Sequence, residues 1–404
     1  MKVVVLLGDG MADRRHPGYG DRTALEAAHT PEMDALARQG DLGLARTVPP
    51  GLPPGSDVAN LSVLGYDPAR CYTGRAPLEA AAMGVELGPD DVAYRMNLVT
   101  LLPGTDRVYM HDFSAGHISS EEARAIVQTL ARELGDDGFE FYPGVGYRHL
   151  MVWRNGRDGA STTPPHDIQG QPIHEHLPRG EGAEELVHLI TGSQILLKDH
   201  PVNRARRERG QKEANSVWLW GQGRRPTLEP YRSRFGLSGA VVSAVDLLKG
   251  IAHLAGLDAP RVPGATGYLD TDYEGKVTAL LAALDRGDFG FVHVEAPDEA
   301  AHAGNPEHKV RAIEDFDARV VGPVRRALEE RGEPYRLLVL PDHPTPLELR
   351  THTDEPVPFV LYDSTRPATR PGAAFTEAEA RATGLVVDEA HRLVAHMSGR
   401  VRLW

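Results

Sequence analysis

The chain opens with KVVVLLG, Lys2 to Gly8, an apolar run without polar alternation. A run of that kind predicts a strand buried on both faces, as in a parallel sheet lying between layers of helices. Glycines at 8 and 10 then turn the chain sharply, which sets Asp9 at the C-terminal end of the strand. ALEAAHTPEMDALARQG has helical periodicity broken at Pro31, and this predicts a fresh helical turn with Thr30 as its cap. A Pro/Gly-rich loop, VPPGLPPGSDVAN at 48–60, comes next, and loops of this composition beside strand ends commonly carry function.

The texture changes near Val92. Residues 92–101 and 107–111 predict short strands, Ser119 to Leu134 a capped amphipathic helix, and FEFYPGV and YRHLMVW further strands. Residues 155–183 lack periodicity and are expected to be irregular. Strand and helix patterns then resume in NSVWLWGQG, GAVVSAVDLLKGIAHLAGL and DFGFVHVEAPD, followed by a long helix HKVRAIEDFDARVVGPVRRALEERG, the strand YRLLVLPDH and VPFVLY. RATGLVVDEAHRLVAHMSG reads as a short strand or turn plus a closing helix, with His391 and His396 as surface or packing residues. The fold expected is α/β: a doubly wound core from residues 1–92 and 214–404, with an inserted α/β lid domain at 93–213.

Composition narrows the class. At 404 residues, with 41% hydrophobic and 25% charged, the chain can bury a large core and is neither disordered nor fibrous. No apolar run approaches the roughly 20 residues of a membrane helix, so no membrane association is expected, and the N-terminal run reads as a strand rather than a signal peptide. A cytoplasmic location is expected. The single cysteine, Cys71, excludes an intrachain disulfide and thiolate-cluster metal sites, which leaves oxygen and imidazole ligands. A net charge of −13 argues against nucleic acid, and the basic run RARRER at 204–209 is expected to be a solvated helix face or loop. Oligomeric state is left open.

Three apolar strands end in an aspartate: Asp9, Asp298 and Asp342. In an open parallel sheet the C-terminal strand ends line one crevice, so these carboxylates are expected to converge. His302 follows Asp298 by one helical turn, His343 follows Asp342 directly, and His352 lies in RTHTDEPVP. Each alone reads as a helix cap or an ordinary polar residue; together they suit two divalent cations, with Mn²⁺ or Mg²⁺ favoured by oxygen-rich ligation and Zn²⁺ or Co²⁺ as alternatives. Two cations a few ångströms apart suit phosphoryl chemistry. Ser56, in Gly55-Ser56-Asp57, adds a nucleophile, since a metal can activate a hydroxyl that is otherwise inert at neutral pH.

GDG near the N-terminus, PPGSDVANLSVLGYDP, YTGRAPLEAA, DFSAGHIS, PPHDI, WLWGQG, GATGYLDTDYEGK, VHVEAPDEAAHAG, PDHPTP and THTDEPVPFVLY lie in order along nearly the whole chain. They resemble the archaeal-type 2,3-bisphosphoglycerate-independent phosphoglycerate mutases of the alkaline phosphatase superfamily. The resemblance implies interconversion of 3- and 2-phosphoglycerate, a small-molecule substrate, through a phosphoserine at Ser56, with no bisphosphoglycerate required. It also implies that Ser56, Asp9, Asp342 and His343 hold one Mn²⁺ and that Asp298, His302 and His352 hold the second. His117 of DFSAGHIS resembles a substrate-contacting lid histidine, with a helix N-terminal histidine as the plain alternative. Arg148 is a candidate clamp for carboxylate or phosphate, or an ordinary strand arginine. Arg75, His166 and Asp167 are unsettled. Two positions depart from the bacterial branch: Asn60 replaces a histidine, and Gly264 stands where that branch has a lysine, with Lys276 as a candidate substitute. The rival readings are another phosphoryl-transfer enzyme on the same core, such as a phosphatase, phosphopentomutase or homoserine phosphotransferase-like enzyme, and a non-catalytic metal-binding homologue.

Overall fold

Val3 to Leu7 are all buried in the computed structural model, which describes residues 1–136 and 138–404. The strand Lys2–Gly8 lies between Phe289–Val294 and Tyr335–Leu340 and runs parallel to both. Among the described residues its sheet has seven strands, in the order Gly239–Val242, Phe289–Val294, Lys2–Gly8, Tyr335–Leu340, Val357–Asp363, Asp41–Ala45, Val386–Val387. Val4, Leu6, Val292, Val294, Leu337 and Val339 point into one core shared with the helices Pro31–Gln39, Tyr273–Leu284 and Pro306–Phe316. Their neighbours Val3, Val5 and Leu7 are equally buried, so both sheet faces are covered, as the unbroken apolar runs require.

The sheet is not wholly parallel. Val357–Asp363 runs antiparallel to both of its neighbours. The reason lies in its connection: residues 341–356 contain no helix, and a return without a crossover helix gives an antiparallel pair. This places the end of Tyr335–Leu340 beside the start of Val357–Asp363, so the loop between them begins and ends on the side of the sheet where Tyr335–Leu340 terminates.

The chain divides into two units, Met1–Tyr72 with Thr227–Trp404, and Thr73–Pro226. The sequence boundaries of 93 and 213 lie inside the smaller unit for a packing reason. Ala76 and Ala80 of the helix Ala76–Ala82 share a core with Ala93, Leu150 and Val152, and Ser216–Arg224 pairs along Val92–Pro103. The smaller unit is an antiparallel sheet built on Val92–Pro103, which pairs with Val108–Asp112, Arg148–Trp153 and Ser216–Arg224. The helices Ser120–Glu133 and Ala183–Leu197 cover one face of it. Among the described residues no helix is long and apolar enough to cross a membrane.

Candidate metal centre

Three adjacent parallel strands end together, and their ends carry the carboxylates. Asp9 follows Lys2–Gly8 and its N–H donates to the Val294 carbonyl at 2.8 Å. Asp342 follows Tyr335–Leu340, and its Oδ1 accepts the Gly10 N–H at 3.1 Å. Gly10 has φ +62, and a Cβ there would stand 2.6 Å from both Asp298 Oδ1 and Thr345 Oγ1, so the turn requires glycine. Asp298 lies in the short helix Ala296–His302 that leaves Phe289–Val294, and His302 is one turn further on. His343 and His352 come from the two ends of the loop joining the antiparallel pair.

The seven core residues singled out in the sequence lie together. Ser56 Oγ is 3.1 Å from His343 Nε2. His343 Nε2 is 3.4 Å from Asp342 Oδ2 and 3.6 Å from Asp9 Oδ1. His302 Nε2 is 2.9 Å from His352 Nε2 and 3.1 Å from Asp298 Oδ2. Among the described residues two compact donor groups emerge, Asp9 with Asp342 and His343, and Asp298 with His343 and His352, so His343 stands between them.

The carboxylates are crowded and enclosed. Asp9, Asp298 and Asp342 are at most 4% exposed. Burial, with the charges of Asp342, Asp298 and Glu295, pushes the Asp9 carboxyl well above its ordinary range. Asp298 is held well below its range despite burial, because His302 and His352 bond to it. His302 is pushed up to about 9, since its bond to Asp298 outweighs burial. Asp9 Oδ1 is buried without a hydrogen-bond partner. Converging carboxylates, an orphaned oxygen and two facing imidazole nitrogens fit a pair of divalent cations with oxygen and nitrogen ligands.

Ser56 opens the helix Ser56–Val63, whose positive end faces any anion held at the hydroxyl. Asn60, one turn later, donates through Nδ2 to the Ser56 carbonyl and to Asp342 Oδ2, each at 2.9 Å, which ties the serine helix to the strand-end carboxylate. Asp57 turns away and accepts the Tyr72 hydroxyl.

Three further residues join this centre that sequence motifs do not assign to it: His293, which bonds Asp9; Thr345, which donates to Asp298; and Asn60, which donates to Asp342. A lone histidine inside the apolar strand FVHV was the available signal for the first. Lys276 is fully buried with Nζ on the His293 carbonyl at 3.0 Å, and burial lowers it to about 8.

His117 and Arg148 belong to the smaller unit, and both are exposed. Ala115, Gly116 and His117 have successive φ values of 49, 64 and 51 degrees. Two non-glycine residues in the left-handed region cost roughly 1–2 kcal/mol each. The turn is held by Asp112, which bonds Ser114, and by Arg206, which donates to the Ala115 carbonyl at 2.7 Å. Arg206 is therefore interior, 3% exposed, rather than part of a wholly solvated RARRER run. Elsewhere in the unit Glu79 binds both Arg75 and Arg95, and the Arg95 guanidinium stacks over Trp220 at 4.1 Å, with the His166 ring 5.3 Å from the same indole. Burial lowers Arg95 to about 10.

Comparison with known proteins agrees with this architecture. Residues 37–203 match the family described as 2,3-bisphosphoglycerate-independent phosphoglycerate mutase. The chain is 59% identical, over 99% of its length and 100% of the relative's, to a probable enzyme of that name from Geobacter sulfurreducens. A solved protein from Pyrococcus horikoshii superposes with a TM-score of 0.83 at 30% identity, covering 100% of this chain and 98% of the other. A cofactor-independent phosphoglycerate mutase from Thermoplasma acidophilum superposes with a TM-score of 0.66 at 25% identity, covering 99% and 100%.

Proposed function

The chain belongs to the 2,3-bisphosphoglycerate-independent phosphoglycerate mutases, and from that premise we propose that it moves the phosphoryl group between the 3- and 2-hydroxyls of glycerate through a phosphoserine at Ser56. The observation that carries the mechanism is the Ser56 hydroxyl at a helix N-terminus, 3.1 Å from His343, beside three buried carboxylates from three strand ends.

Ser56 Oγ attacks phosphorus, the bond from phosphorus to the glycerate 3-oxygen breaks, and the serine proton is exchanged for one on the released 3-hydroxyl. The 2-hydroxyl then attacks the same phosphorus, the bond to Oγ breaks, and the serine hydroxyl is restored, so the ester is conserved. Asp9, Asp342, His343 and Ser56 would hold one divalent cation and Asp298, His302 and His352 another, with Mn²⁺ the first choice. When bound, the cations lower the cost of the serine alkoxide and of charge on the phosphoryl oxygens. Asn60 holds Ser56 and Asp342 in register, and the helix N-terminus favours the phosphorylated side chain. His117 and Arg148 are proposed to bind the substrate.

The test is a coupled assay on 3-phosphoglycerate with Mn²⁺ and no bisphosphoglycerate. Turnover without net phosphate release is expected, and Ser56→Ala should reduce it to background while Mn²⁺ binding stays largely in place through the remaining ligands. Phosphate release in place of 2-phosphoglycerate would reassign the protein to hydrolysis, and near-normal activity of Ser56→Ala would remove the phosphoserine.

A further inference from the structure

His293 lies in the strand Phe289–Val294, opposite Leu7 in the register of the neighbouring strand, and is completely enclosed. Its Nε2 is 2.7 Å from Asp9 Oδ2, and its Nδ1 is 3.1 Å from Ser243 Oγ. The Val245 N–H donates to Ser243 Oγ at 2.9 Å, and the hydroxyl hydrogen of Ser243 remains free to be given to Nδ1. An Asp9 that ligates a cation is ionised and its oxygens only accept, so in that state the hydrogen of a neutral imidazole sits on Nε2 and points at Asp9. The backbone of the same residue is held as well, since Lys276 Nζ donates to the His293 carbonyl at 3.0 Å. The outcome is asymmetric: Asp9 Oδ2 is bonded, while Asp9 Oδ1 is buried without a partner and lies 3.6 Å from His343 Nε2.

We propose that His293 is a positioning residue for the metal centre: it fixes Asp9 through Oδ2 so that Oδ1 is presented to the cation shared with Asp342 and His343, and Ser243 sets the tautomer that makes this bond. The proposal rests on the two-metal reading above. Packing alone gives no reason for it, because an aliphatic side chain fills an enclosed strand position without needing two polar partners. Groups that orient a ligand from behind typically account for 10–100-fold in metal affinity.

The experiment is Mn²⁺ titration of the full chain after chelator stripping, followed by electron paramagnetic resonance and calorimetry, on wild type, His293→Phe, His293→Gln and Ser243→Ala. Wild type is expected to bind two ions. His293→Phe should weaken one of them by about 10–100-fold and leave the other unchanged. His293→Gln, whose amide N–H reaches about as far as Nε2, should restore most of the loss, and Ser243→Ala should weaken the same ion by less than His293→Phe. Wild-type affinity for both ions in His293→Phe would overturn the proposal, as would a glutamine variant as weak as the phenylalanine one. Should His293→Phe fail to fold, Ser243→Ala decides: weaker binding of one ion supports the proposal and unchanged binding of both overturns it. If wild type itself binds no ions, the two-metal reading falls and takes this proposal with it, a result distinct from selective failure in the variants.

Discussion

His302 and Asp298 show what the centre requires of single residues. Nδ1 of His302 bonds the Arg350 carbonyl at 2.9 Å while Nε2 faces Asp298 and His352. With Asp298 holding it at about 9, the imidazole is protonated near neutrality, and a cation must displace that proton to take Nε2. Binding of a divalent cation at pH 7 to 8 should therefore release about one proton from this group. Calorimetry in buffers of different ionisation enthalpy reads the number directly, and no proton release would contradict it. Gly10 sets a steric condition instead: Gly10→Ala forces a Cβ to 2.6 Å from Asp298 Oδ1 and Thr345 Oγ1 at φ +62. The expected result is a folded protein whose Mn²⁺ affinity is lower by about tenfold or more, since displaced carboxylates lose their aim. At this scale the strand-end aspartates were legible because each ends an apolar run. His293 and Asn60 were not, since their partners Asp9 and Asp342 lie hundreds of residues away in sequence and only the sheet order joins them.

Among elements, the long helix expected from HKVRAIEDFDARVVGPVRRALEERG forms as Pro306–Phe316 and Gly322–Arg331 joined by a π turn, Asp317–Val321. Pro323 has no N–H, and the widened turn admits its ring where a regular helix would clash. The turn also aims Asp317 at the helix Pro31–Gln39, where its carboxylate accepts the Glu32 and Met33 N–H groups at 3.1 and 2.7 Å. Thr30, the cap expected from sequence, makes no side-chain cap bond. Periodicity could reveal both helices but not that one caps the other, just as it revealed the strand VPFVLY without its antiparallel direction.

Burial, with Glu32 and Asp34 nearby, raises Asp317 to about 6. Because that lies above the unfolded carboxyl value, its contribution to stability is fully present below about pH 4 and is lost as pH rises through 6. A shift of about two units corresponds to about 3 kcal/mol. Urea unfolding from pH 4 to 7.5 should show wild type losing up to that amount relative to Asp317→Asn, and a difference independent of pH would refute the assignment.

For the whole molecule, the division into units predicts where a bound cation would be felt. All seven residues of the centre belong to Met1–Tyr72 with Thr227–Trp404, while Thr73–Pro226 has its own core around Tyr94, Met96, Ile126 and Leu219. The change of texture at Val92 was readable in the sequence, but the attachment of Ala76 and Ala80 to the smaller core was not, because it is made only through contacts with strands far along the chain. A ligand that binds only the folded larger unit stabilises it by about 2.7 kcal/mol for each site held at 100 times its dissociation constant. Chelation should accordingly lower stability in one unit rather than throughout. Hydrogen exchange with and without Mn²⁺ localises the effect: protection should fall in Lys2–Gly8, Tyr335–Leu340 and the loop 342–352, and stay constant in Val92–Pro103 and Ser216–Arg224. Equal losses in both units would mean that the cations are not confined to the strand-end carboxylates. Unchanged protection in the larger unit, with activity nonetheless abolished by chelation, would mean that the cations act in the reaction without holding the fold.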